Sequence, residues 1–165
     1  MQWVPYANIT EVIGLVDILY SNEGSMRIES LQKYLGIEID ELLPVIDAAK
    51  IIGLVMITRD CINITNMGRR LYTLNPEKKK ALISSQICMM PVFRKIVSLL
   101  KKEGPKPKAY FLHMIEKELF AKESELQFRR IIQWGRYAEI LSYDAGKDEM
   151  TVNLACPMSR PEKAQ

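Results

Sequence analysis

Residues 40–65 read DELLPVIDAAKIIGLVMITRDCINIT, and their pattern changes period once, at Gly53. Before it, Leu42, Leu43, Ile46 and Ala49 recur at helical spacing, so a helix that begins near Asp40 buries one face. Pro44 suits the first turn of that helix, where backbone amides have no helical acceptor. After Gly53, residues 54–58 and 61–65 are short β-rich runs on either side of Arg59 and Asp60, which predicts a hairpin.

Upstream, Asn8 with Glu11 three residues later marks a helix start, and Ile9, Val12, Ile13, Val16 and Leu19 supply a buried face up to a stop at Asn22 and Gly24. A short helix over residues 29–35 turns Ile28, Leu31 and Leu35 inward and is closed by Gly36. Three helices and a hairpin in this order predict a winged-helix-like unit.

The same order then returns. Phe93, Ile96, Val97 and Leu100 mark a helix ended by Gly104; Phe111, Met114, Ile115 and Leu119 mark a second; Phe128, Ile131, Ile132 and Gly135 mark a third. Residues 140–143 and 150–154 flank the turn Asp144-Ala145-Gly146-Lys147, in which Gly146 is expected to take the unusual backbone angle. Residues 67–74 and 76–88 read as connecting helices, with Pro76 at a helix start. The expected fold is mostly α with two small β-hairpins, as tandem winged-helix-like units joined by connector helices. Its segments are a linker at 1–7, unit one at 8–66, connectors at 67–90, unit two at 91–155 and a frayed tail at 156–165.

The composition, 48% apolar and 26% charged over 165 residues, is that of a globular chain. The longest apolar run, residues 51–57, is far short of the ~20 residues that cross a bilayer. No secretory signal is visible, and three widely spaced cysteines, Cys61, Cys88 and Cys156, make no disulfide framework, so a cytoplasmic location is expected.

Catalytic chemistry has little to work with. No glycine-rich loop ends in Lys-Ser or Lys-Thr to surround phosphates, and the single histidine, His113, lies beside an apolar helix face. Cys61 alternates within a strand and Cys88 sits beside Met89 and Met90, positions that predict burial, and no cysteine pair has metal-ligand spacing. Neither a cofactor nor a metal is expected.

Duplex DNA is a natural partner for a winged helix, but charge divides the two units. The third helix of the first carries Asp40, Glu41 and Asp47 against Lys50, and its wing offers only Arg59 beside Asp60. The second is richer in cations: Arg129, Arg130 and Arg136 on or near its third helix, and Lys101, Lys102, Lys106 and Lys108 upstream. A net charge of +3 does not by itself identify a nucleic-acid binder.

Three strings are more specific. Residues 40–53, residues 64–69 (ITNMGR) and above all residues 133–144 (QWGRYAEILSYD) resemble the AAA-associated C-terminal domain that follows the ATPase in nitrate/sulfonate/taurine-type ABC importers. The resemblance extends over roughly residues 8–154. It implies a regulatory or docking module whose partner is an ABC transporter ATPase, cytoplasmic and brought to the inner membrane through the transporter complex. It supplies no catalytic residues, because ATP chemistry belongs to the ATPase. A winged-helix transcription regulator is the alternative.

Trp134, Arg136 and Tyr137 combine the side chains that anchor interfaces. The other reading makes Trp134 and Tyr137 core between helix and wing, with Gly135 permitting close packing and Arg136 paired to Glu139. Trp3 and Tyr6, either side of Pro5, lie on the segment that would arrive from the ATPase and would dock on the module or on its partner.

Overall fold

A computed structural model describes residues 1–153. The expected end of the last strand at Leu154, Cys156 and the tail at 156–165 lie outside the described residues. The chain divides into two compact units, one formed by Pro5–Ile83 and the other by Met1–Val4 together with the chain from Ser84 onward.

In the first unit the elements are α1 (Ile9–Ser21), β1 (Ser25–Arg27), α2 (Ile28–Leu35), α3 (Ile39–Ile52), β2 (Val55–Thr58), β3 (Cys61–Ile64) and α4 (Asn66–Thr73), followed by the first part of α5 (Pro76–Met89). Glu11 caps α1 by accepting the Asn8 amide at 2.8 Å. Helices α2 and α3 each stop at a glycine of positive φ, 64° at Gly36 and 87° at Gly53, a conformation in which a side chain is strained.

Strand β1 is an addition to the sequence reading. It pairs antiparallel with β3 and makes a three-stranded sheet of order β1-β3-β2, with Met26 opposite Ile62 and Ile57 opposite Ile62 on the other side. Three residues, Ser-Met-Arg, are too few to show a period of two.

Details of α1, α2 and α3 also differ from expectation. Helix α3 begins at Ile39, with Glu38 at its cap, so Pro44 stands in the second turn, and a proline there gives the Asp40 carbonyl no amide. Leu43 and Leu35 are exposed rather than inward, and Leu15 rather than Ile13 completes the buried face of α1. The core of this unit is Val12, Val16 and Leu19 of α1, Ile46, Ala49 and Ile52 of α3, Ile62 of β3 and Leu71 of α4.

The second unit contains the remainder of α5, then α6 (Pro91–Glu103), α7 (Lys108–Glu116), α8 (Ala121–Tyr137), β4 (Leu141–Asp144) and β5 (Glu149–Val152). Lys106, between α6 and α7, exchanges both backbone hydrogen bonds with Met150 of β5 at 2.8 and 3.2 Å. This bridge stands where β1 stands in the first unit, so the two units share the order helix, strand or bridge, helix, helix, strand, strand. Its core is Phe93, Ile96, Val97, Phe111, Ile115, Phe128, Ile131 and Trp134.

The β4–β5 turn departs from its expected chemistry. Gly146 is not the residue with positive φ; Asp148 is, at 51°. Asp144 Oδ1 accepts the amides of Gly146 at 2.9 Å and Lys147 at 3.1 Å, an Asx-type turn that sets the bend before Asp148 is reached.

The N-terminal segment is held by a residue that sequence reading passed over. Gln127 of α8, 1% exposed, accepts the Val4 amide and donates to the Val4 carbonyl, both at 3.0 Å, pairing with the backbone as a strand would. Gln127→Leu keeps the volume but leaves both Val4 groups without that partner, and a buried unsatisfied group costs about 1–3 kcal/mol. A loss of about 2 kcal/mol is expected, with exchange of the Val4 amide rising to that of an open segment in hydrogen-exchange measurements.

Candidate functional site

The sequence cluster 134–137 is split by its helix. Trp134 is completely buried on the core side of α8, beside Gly135, whose Cα lies against Leu141 of β4; a Cβ on Gly135 would stand 2.5 Å from Leu141 Cγ. Tyr137 is half-buried, and that burial pushes its phenol above the usual range. Arg136 is exposed and its guanidinium donates to the Tyr143 carbonyl of β4, tying helix to hairpin. Of the three, Arg136 alone presents its side chain fully at the surface.

Trp3 and Tyr6 fall in different units. Trp3 is half-buried close to Glu118, whose carboxyl accepts the Met1 ammonium at 2.7 Å and is held below its usual range first by that contact. Tyr6 is exposed.

The basic residues gather in part. Arg129, Gln133 and Arg136 lie at helical spacing on α8 and, with Ile132, Tyr143 and Ala145, line a depression of about 480 Å³ between α8 and the β4–β5 hairpin. Arg130 donates to Gln133 at 2.8 Å. Lys106 is paired with Glu103 at 3.0 Å and Lys108 with Glu125 at 2.9 Å, so both carry a carboxylate with them. Lys101 and Lys102 are exposed at the last turn of α6.

The hairpin is latched to α7 by Asp148, which accepts the Lys108 amide at 3.0 Å and the Tyr143 hydroxyl at 2.8 Å. These bonds favour the carboxylate, the backbone amide first, and hold Asp148 below the usual carboxylate range; the same contact raises the Tyr143 phenol. A depressed carboxylate contributes stability above its unfolded pKa and loses it as pH falls through the folded value. A raised phenol contributes below its unfolded pKa and loses it as pH climbs through the folded value. Asp148→Asn is therefore expected to be less stable than the parent at neutral pH, with the gap closing as pH falls through the acid range, in urea titrations at stepped pH.

His113 is exposed, Cys88 is buried and Cys61 is half-buried, short of the burial expected for it. No cluster of three or more His, Cys, Asp or Glu side chains fit to hold a metal occurs among the described residues. Among these residues no single helix is long and apolar enough to cross a membrane.

No curated protein and no solved structure matches the chain. A family profile does, described as the C-terminal AAA-associated domain, over residues 29–144, which take in most of the first unit and the second as far as β4. The family is an ATPase-associated domain rather than a catalytic one. All three strings singled out in the sequence lie inside that match, and with more than half of its length covered the chain belongs to the C-terminal AAA-associated domain family.

Proposed function

We propose that this chain is a regulatory or docking module that acts on the ATPase of an ABC importer of the nitrate/sulfonate/taurine type and has no catalytic step of its own. The family membership carries the reading, since a domain that accompanies ATPases has its work at a protein contact. Arg136, exposed on the rigid joint of α8 with β4, is the anchor that this reading puts first. Trp3 is next, half-buried on the segment that would lead from an ATPase. Trp134 and Tyr137 support the joint from beneath. In an ATPase assay the module is expected to change the rate of ATP hydrolysis by its partner and to be retained on that partner in pull-down; no retention together with an unchanged rate would overturn the proposal.

A second reading, a winged-helix DNA-binding regulator, draws on one observation: Arg129 and Arg136 line the same depression between the third helix and the hairpin of the second unit. Phosphate contacts of this kind weaken steeply with salt. Retardation of duplex DNA at low salt, lost in the Arg129→Ala, Arg136→Ala double variant, would favour it; no retardation at low salt removes it.

A further inference from the structure

Helices α1 and α3 and the end of α2 enclose a groove of about 360 Å³ that neither the sequence reading nor the family match had singled out. From α1 it is lined by Glu11, Gly14, Leu15 and Ile18, positions i, i+3, i+4 and i+7 of one helix face; Leu35, Ile37, Leu42 and Val45 complete the apolar walls, and Glu41 stands with Glu11 at the lining's acidic points. A face of two helical turns is about 10 Å long. That is the footprint of a short amphipathic helix laid in a groove.

Gly14 is the unusual residue. Glycine is a poor choice in a helix interior because it loses more backbone freedom than any other residue. Neither backbone nor packing calls for it here: its φ is not positive, and a Cβ at this position would meet nothing within 4 Å. What it does is leave the α1 side of the groove without a side chain at that point. Leu35, which sequence pattern placed inward, is exposed at the rim.

Charge says what would enter. From Ile9 to Ile52 the chain carries eight carboxylates, Glu11, Asp17, Glu23, Glu29, Glu38, Asp40, Glu41 and Asp47, against three cations, Arg27, Lys33 and Lys50, although the whole chain is net positive. Lys33 is itself paired with Glu29 at 2.9 Å. The charged residues that line the groove itself are Glu11 and Glu41, and an apolar groove edged by carboxylates complements a helix with an apolar stripe and basic flanks, and repels an acidic one.

We propose that the groove lined by Gly14, Leu35 and Val45 is where the module captures a cationic amphipathic helix of its ATPase partner. This deepens the docking reading and rests on it. Two variants of the full chain test it: Gly14→Leu, which puts a side chain into the groove from α1, and Leu35→Arg, which puts a cation at the exposed rim. Both are expected to keep the parent's melting temperature or exceed it.

The probes are a fluorescent 18-residue peptide with leucine at i, i+3, i+4 and i+7 on a lysine background, its counterpart on a glutamate background, and the ATPase itself. The expected result is binding of the lysine peptide and not of the glutamate peptide, affinity that falls as salt rises, and at least a tenfold loss of both peptide and ATPase binding in each variant. Equal binding of the lysine peptide by parent and variants overturns the groove as its site. Variants that lose the peptide but hold the ATPase like the parent overturn the groove as the docking face and leave the docking reading standing. A parent chain that fails to bind the ATPase overturns both. A parent that sediments as a dimer while Gly14→Leu sediments as a monomer assigns the groove to a second copy and overturns the helix of the ATPase as its occupant.

Discussion

Trp134→Ala is expected to lower the stability of the second unit by about 3–5 kcal/mol, the range for deleting a fully buried tryptophan. Trp134 is the largest of the completely buried side chains, on the same face of α8 as Phe128 and Ile131. The neighbouring walls cannot close on the space it leaves: Gly135 is pressed on Leu141, and Arg136 ties the same end of α8 to the Tyr143 carbonyl. Trp134→Phe, which keeps most of the apolar volume, is expected to lose about a third as much. Arg136→Ala removes one exposed, charge-assisted hydrogen bond and is expected to stay within about 1–2 kcal/mol of the parent. Circular dichroism in urea reads all three without relying on indole fluorescence. The contrast separates support from contact: Trp134 substitutions act on a partner only by loosening the fold, whereas Arg136→Ala can weaken binding in a chain that remains folded.

Gly68→Ala is the second large effect, a loss of about 3 kcal/mol in the first unit. Within a helix the exchange of glycine for alanine normally stabilises by up to ~1 kcal/mol. Here the added Cβ would fall on the carbonyl oxygen of Leu54 and 2.6 Å from Ile64 Cγ1. The carbonyl is backbone and is held where it is, since it accepts the Thr65 amide at 3.0 Å next to the Val55–Ile64 pair of the sheet. Thr65 fixes the other side, its hydroxyl donating to the Gly53 carbonyl at 2.7 Å while accepting the Gly68 amide at 3.1 Å. With both surfaces fixed, α4 must move away from the sheet, and the overpacking outweighs the gain in helix propensity. Urea titration measures the total. Hydrogen exchange is expected to place the weakening in α4 and β3, with the amides of α8 unaffected.

The fold was legible wherever apolar residues repeat over several turns or flank a short polar turn. Val12, Val16 and Leu19, Phe93, Ile96 and Val97, and Phe128 and Ile131 all predict their helices and their buried faces. Gly36 and Gly53 predict where α2 and α3 stop. Strand β1 was illegible because three residues carry no period, and the Lys106–Met150 bridge because one residue on each side does not make a strand. Leu35 and Leu43 were misplaced for a different reason. Periodicity says that a face is apolar, and whether a neighbouring element covers it depends on chain positions far away.

The candidate sites divide along the same line. The density of Trp134, Arg136 and Tyr137 within four residues marks an important segment, but a helix turns about 100° per residue, so Arg136 faces away from Trp134 while Tyr137 stays near its side. The core claims one and solvent another. Arg129, Gln133 and Arg136, at four- and three-residue steps, do share a face. Gln127 and Asp148 gave no signal at all, since a glutamine in a helix and an aspartate in a turn are ordinary, and their roles arise from backbone groups 123 and 40 residues away along the chain.

By itself the sequence determined the class of the protein: a mostly helical chain of two units in one repeated order, with the strings that place it in the C-terminal AAA-associated domain family. Those features are local, encoded in spacing, helix stops and turn residues, and they survive without knowledge of what packs on what. Tertiary structure alone decided that Trp134 is core, that Lys106 and Lys108 are paired with carboxylates, that Gln127 grips the N-terminal segment, and that α1, α2 and α3 leave an open groove lined in part by Gly14. Each of these depends on residues that meet only after the chain has closed on itself, and burial and pairing are properties of that meeting rather than of any residue.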